Sequence, residues 1–290
     1  MPPGKDHHTI EPPDGDGDVY GVSVPCETSV QSDLAAEYMR KAAQQRITTA
    51  PEPPKGPRWP MFSGVFTFPF YLHSLGHLML ISIGLIVTTL LFFAWKYYGS
   101  TFGLSRLFGL PVCASALLTF SYATACCQII VEETFHGWDS IDEWPEPNWK
   151  EWVWSLARMV TLVLQAGLLG FAFDAIFLFR THWPLLVGTL VALPVVLLGA
   201  LADGETWIPT AMGRVLRSML RIGWAWILFY IETSLLIAAW IAVAVVGWGQ
   251  SQLAVPFYAG PMLAVVMLIY ARLLGRLAKL IRDSEDALEE

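Results

Sequence analysis

From about residue 78 onward the chain alternates long apolar runs with short polar clusters. A run of about 20 apolar residues is what a helix needs to cross the hydrocarbon core of a bilayer. Such runs fall at about 78–95, 108–131, 157–179, 184–202, 223–247 and 254–274. None shows the ~10-residue alternation of an outer-membrane barrel strand. The pattern predicts an all-α, polytopic membrane helical bundle with about six transmembrane helices plus interfacial amphipathic helices. The aromatic segment 59–76, the stretch 147–156 and the segment 210–221 each precede a pair of spans. Hydropathy thus suggests three hairpins, each led by an interfacial segment. In TAMGRVLRSMLR, Arg214, Arg217 and Arg221 recur at helical spacing with Val215, Leu216, Met219 and Leu220 on other faces, the mark of a basic helix on a membrane surface. Asn148 followed by Glu151 is a capping-box pattern and predicts a helix start there.

Residues 1–57 differ in kind. They are rich in Pro, Gly, Asp and Glu, bury too little apolar area to offset chain entropy, and are expected to form a largely disordered cytoplasmic tail, with one short helix over 32–46. Asp14, Asp16 and Asp18 suggest a calcium loop, but Val19 replaces the required Gly and Pro25 the required Glu. The opening MPPGKDHH lacks the apolar core of a signal peptide, so the first span is expected to act as an uncleaved anchor. Residues 58–282 then form the six-helix transmembrane domain, and 283–290 an acidic cytoplasmic C-terminal tail.

Composition supports this division. Hydrophobic residues make up 54% of the 290 residues and charged ones 15%, against roughly 25% charged in soluble proteins. The net charge of −7, with no basic patch interleaved with aromatics, argues against nucleic acid as a partner. Basic residues also orient the chain. Of the 18 Lys and Arg, only Lys96, Arg106 and Arg180 fall on one side. The other fifteen fall in the N-terminal tail, the loops around 132–158 and 203–222, and the C-terminal segment. Both termini are therefore expected in the cytoplasm, as in a bacterial inner (cytoplasmic) membrane protein.

Few residues suggest chemistry. Cys26, Cys113, Cys126 and Cys127 form neither a disulfide framework nor a metal spacing; Cys126 and Cys127 are expected to pack as small hydrophobes. There is no HExxH, no GxSxG and no phosphate-cradling Gly-rich loop. The chain is therefore expected not to be an enzyme, with no catalytic, cofactor-binding or metal residue and no cofactor. His73 and His77 share a helix face but lack a third ligand nearby. Carboxylates inside spans are costly. Asp174 is expected at the outer interface near Arg180 and His182. Glu232 is expected at mid-depth, level with Gln165 and Tyr122 and beside Pro194 in span four. Ser115, Thr119, Tyr122 and Cys126 share one face of span two. Tyr122, Gln165 and Glu232 thus make a candidate intramembrane polar cluster. The loop after span two sets Trp138, Trp144, Trp149 and Trp152 among seven carboxylates from Glu132 to Glu151, a candidate interfacial docking loop.

The strings PMFSGVFTFPFY before span one and FHGWDSIDEWPEPNW after span two resemble uncharacterised multi-pass membrane proteins of planctomycete-type bacteria, over roughly 57–280. Such relatives often carry a cysteine-pair, zinc-ribbon-like N-terminal module; this chain has only Cys26 there. The resemblance implies no activity, substrate or catalytic residue. Two function classes follow from the residues. One is a non-catalytic scaffold or accessory subunit that holds a membrane or cytoplasmic protein partner. The other is a small transporter or permease that uses the polar cluster around Glu232. The lipid bilayer is a partner in both.

Overall fold

Seven α-helices, preceded by a short 3-10 turn at Phe68–Phe70, dominate the described part of the chain. The computed structural model describes residues 61, 64–102, 105–138, 140–141, 143–177, 183–202 and 211–289. The tail 1–57, its expected helix at 32–46, and Arg180 and His182 lie outside the described residues. The helices are α1 (Leu72–Phe102), α2 (Ser105–His136), α3 (Trp149–Phe177), α4 (Trp183–Ala202), α5 (Met212–Arg221), α6 (Gly223–Gln250) and α7 (Val255–Glu289). Among the described residues there is no strand, and all of these helices but α5 are long and apolar enough to cross a membrane. The expected all-α polytopic bundle is therefore present. The six long helices alternate in direction, so α1, α3 and α6 start on the side where α2, α4 and α7 end. That side is called the near side below.

The boundaries shift at the near side. Helix α3 begins at Trp149, ahead of the expected 157, because the stretch read as a separate surface element is the first part of the spanning helix. Helix α1 begins at Leu72, and α7 runs through the acidic residues after 282 to Glu289. Helix α4 continues through Pro194, so this proline does not interrupt the span.

Helix α7 is the hub. It packs on α1, α2 and α6, while α3 and α4 pair with each other and α3 leans on α2. Half of the apolar window of α7 is buried inside the protein, against 17–39% for the other five spans. Lipid tails are as apolar as leucine, so helices in a bilayer associate mainly by close packing at small residues. Gly275 of α7 shows this: a Cβ there would come within 2.7 Å of both the Val131 carbonyl oxygen and the Thr134 Cβ of α2. In the α3–α4 pair, Gly170 and Gly188 face each other, and a Cβ on Gly170 would lie 2.7 Å from the Thr189 nitrogen and 2.9 Å from the Leu185 oxygen. Hydrogen bonds add to the packing. Thr88 of α1 meets Ser115 of α2 at 2.8 Å, and the Trp240 indole of α6 donates to the Ala259 carbonyl of α7 at 3.1 Å.

The segment before α1 was expected at the interface. Instead Met61, Val65 and Phe68 are at most 1% exposed. Met61 and Val65 join the buried cluster that includes Leu277, Ala278 and Ile281 of α7. Phe68 belongs to a second cluster with Leu78, Tyr122 and Leu268. Phe66, Phe70 and Tyr71 stay exposed.

Gly170→Val should force α3 and α4 apart and lower stability by about 1–3 kcal/mol, the cost of overpacking. Gly167→Val, where a Cβ meets nothing within 4 Å, should be close to neutral. Thermal unfolding in detergent compares the two.

Candidate functional site

The loop between α2 and α3 is built from both ends. At its start Gly137 adopts φ +91°. Its N–H donates to the Thr134 carbonyl at 3.1 Å, and the Trp138 N–H donates to the Glu133 carbonyl at 3.0 Å. This pair of bonds is the Schellman ending, which places glycine in the left-handed region. At its other end Asn148 caps α3: the Lys150 N–H donates to Asn148 Oδ1 at 3.3 Å, satisfying one of the orphan donors of a helix start. Glu151 pairs with Asn148 as the sequence suggested, but through the side-chain amide, which donates to Glu151 Oε1 at 2.6 Å. The Asn148 backbone N–H is already given to the Glu146 carbonyl, so the usual reciprocal bond has no donor.

Between these ends the loop folds onto α1 and α2. Trp144 stacks on His77 with centroids 3.9 Å apart and planes 13° from parallel. Nδ1 of His77 hydrogen-bonds the Tyr122 hydroxyl. Trp152 sets its edge against the Tyr122 ring at 4.8 Å, and its indole N–H donates to the Glu146 carbonyl at 2.8 Å. Aromatic pairs of this kind contribute about 0.5–1.5 kcal/mol each beyond their buried area. Ile141 is buried beneath the loop. His77 was the missing member of this site: its helix spacing with His73 pointed to metal geometry, whereas His73 is exposed and His77 serves the aromatic stack.

The four tryptophans of the docking loop therefore divide. Trp144 and Trp152 turn inward, while Trp138 is 44% and Trp149 58% exposed. Trp154, one turn into α3, is exposed as well. What results is an anchored loop carrying an aromatic outer face, with exposed Glu143, Glu146 and Glu151 among the tryptophans.

The polar cluster is not assembled. The shared face of Ser115, Thr119 and Tyr122 points at α1, where Thr88 and His77 meet it. Gln165 is half-buried on α3, and among the described residues no substantial interface joins α3 to α6. Glu232 on α6 is 4% exposed, and neither carboxylate oxygen has a hydrogen-bond donor among the described residues. Its neighbour Thr233 is turned back onto the Phe229 carbonyl at 2.8 Å. Arg276 of α7 is the charged side chain in the neighbourhood of Glu232. Helical side chains slant toward the helix N-terminus, so on these antiparallel helices Glu232 and Arg276 lean toward each other. Asp174 lies near the far end of α3, one of its oxygens buried without a donor.

Sequence reasoning missed the basic partners. Arg272 and Arg276 counted as part of the C-terminal segment, yet both lie buried inside the bundle. The Arg272 guanidinium sits 4.3 Å above the Phe68 ring, a cation–π contact. Their spacing of four along an apolar helix was the available signal. Arg158, counted as a loop residue, lies within α3. Setting these three aside leaves twelve basic residues against three, and the asymmetry stands.

A cavity of about 240 Å³ opens among α2, α3, α4 and α7. Its walls are mostly apolar, with Gln128, Glu132 and Arg158 as the polar members. Glu232 is not among its lining residues. No protein-family model, curated protein or solved structure matches this chain.

Tyr122→Phe should remove one hydrogen bond and cost about 0.6 kcal/mol, the average for polar contacts between membrane helices. His77→Ala should remove the stack as well and free the loop. A glutamate-specific protease is then expected to cut after Glu143, which Trp144 follows, faster in His77→Ala than in Tyr122→Phe or the unmodified protein.

Proposed function

We propose that this chain is a non-catalytic scaffold or accessory subunit of a bacterial inner membrane, with both termini in the cytoplasm. Its loop 137–154 docks a membrane or cytoplasmic protein partner. One observation carries the reading: Trp144 and Trp152 fasten the loop to His77 and Tyr122, while Trp138 and Trp149 stay exposed on it. A held loop loses little conformational entropy on binding, and exposed tryptophans flanked by polar groups are the residues that dominate binding energy at protein interfaces. The surrounding carboxylates disfavour close approach to anionic lipid, which favours a protein as the occupant. The excess of basic residues on the near side supports the orientation.

A small permease is the second reading, and buried Glu232 with its unsatisfied oxygens favours it. Against it, α6 is continuous from Gly223 to Gln250, whereas transporter sites commonly use interrupted helices. The cavity also omits Glu232.

A photo-crosslinking residue at position 149, irradiated in intact membranes of the source bacterium, should yield a discrete protein adduct. Trp138→Ala should weaken that adduct by about tenfold or more, as the loss of an interface anchor does; adducts to lipid alone would refute docking. In liposomes the purified protein is expected to carry no proton or cation flux. A flux that Glu232→Gln abolishes while leaving thermal stability intact would replace the scaffold with the permease.

A further inference from the structure

Helix α5 has three distinct faces, and the structure fixes its roll. Val215 and Ser218 are buried against the bundle, and Ser218 Oγ accepts the Trp226 indole N–H at 3.2 Å. With that face held, Leu216 is 53% and Leu220 90% exposed on a second face. Arg214, Arg217 and Arg221 are exposed on the third. The apolar face resumes on α6, one turn beyond Leu220, with Trp224 58% and Ile227 62% exposed.

A single exposed leucine calls for no explanation. Four large apolar side chains at consecutive turns do, when they run from a surface helix into a helix built to cross the bilayer. Trp224 marks the level where indole rings prefer to sit, at the boundary of headgroups and acyl chains. Leu216 and Leu220 then enter the acyl layer beside it. The arginine face is left in the headgroup layer, where Arg217 and Arg221, one turn apart, form a two-pronged cationic site. Guanidinium groups bind phosphate oxygens in a bidentate fork.

We propose that α5 is a binding site for an anionic phospholipid headgroup. Arg217 and Arg221 hold the phosphodiester, and Leu216 and Leu220 seat the helix among the chains that belong to it. A headgroup without a compensating ammonium, such as phosphatidylglycerol, is the preferred ligand. In a zwitterionic lipid the choline ammonium opposes the same arginines. The site is independent of the tryptophan loop: it names a lipid, and docking of a protein partner neither requires it nor follows from it.

The full-length protein in detergent micelles, titrated with a fluorescent phosphatidylglycerol and with its phosphatidylcholine counterpart, tests the assignment. Phosphatidylglycerol is expected to bind more tightly. Arg217→Gln with Arg221→Gln should weaken it about 25-fold, at roughly fivefold per arginine near an anionic lipid surface, and leave phosphatidylcholine binding unchanged. Both side chains are exposed, so the melting temperature in phosphatidylcholine should match that of the unmodified protein. Leu216→Ser with Leu220→Ser should weaken both lipids alike and keep the preference. Equal binding of the two lipids by the unmodified protein, or a preference that survives loss of both arginines, would overturn the proposal. So would displacement of the bound lipid by inorganic phosphate, because the arginines would then serve a free anion.

Discussion

A helix surrounded by lipid gains no hydrophobic stabilisation by moving next to another helix, since the acyl chains already supply apolar contact. Close approach must therefore do the holding, and in this chain it is concentrated on α7. Gly275 lets the backbones of α2 and α7 meet, with no room for a side chain between Val131, Thr134 and the α7 axis. Helices α1 and α6 then pack onto other faces of the same helix. The α3–α4 pair uses the same device at Gly170 and Gly188. It attaches to the hub through α2 and through Val195 and Leu198 of α4, which share a buried cluster with Ile269 and Leu273 of α7.

Central position explains why α7 can hold charge. Arg272 and Arg276 would be costly facing lipid, but inside the bundle Arg272 meets the Phe68 ring and Arg276 is buried in the neighbourhood of Glu232. The polar chemistry of the interior is thus an α6–α7 arrangement near the side where α7 ends. The α1–α2 contact that contains Tyr122 is a separate matter, devoted to anchoring a loop. Two features that share a depth in the membrane need not share a neighbour.

The spans were legible in the sequence because about 20 consecutive apolar residues have few alternatives. The face of α2 was legible too, since Ser115, Thr119 and Tyr122 follow helical spacing. Which helix that face meets was not, because spacing along one helix carries no information about the partner across from it. The start of α3 was legible in the Asn148–Glu151 pattern, but its continuity with the third span was not, because Trp149, Lys150 and Glu151 suit a separate interfacial helix and the first turn of a spanning helix equally well. The burial of Met61, Val65 and Phe68 was hidden for a related reason: an aromatic segment beside a bilayer has the same composition whether lipid or protein covers it. Arg272 and Arg276, at the end of the sixth apolar run and just past it, were counted with the C-terminal segment because arginine at the end of a span usually reaches water.

The contact between Phe68 and Arg272 joins positions about 200 residues apart, and Met61 and Val65 share a buried cluster with Leu277, Ala278 and Ile281 of α7. During synthesis the early segment therefore waits. It leaves the ribosome ahead of the first span, with its apolar side chains lacking the surface they will cover. Domains made from the N-terminus onward fold as their parts appear, but here the near side closes only after the final helix has been inserted. The two ends of the bundle seat each other, and a chain cut short within α7 would lose both the hub and the cover over it.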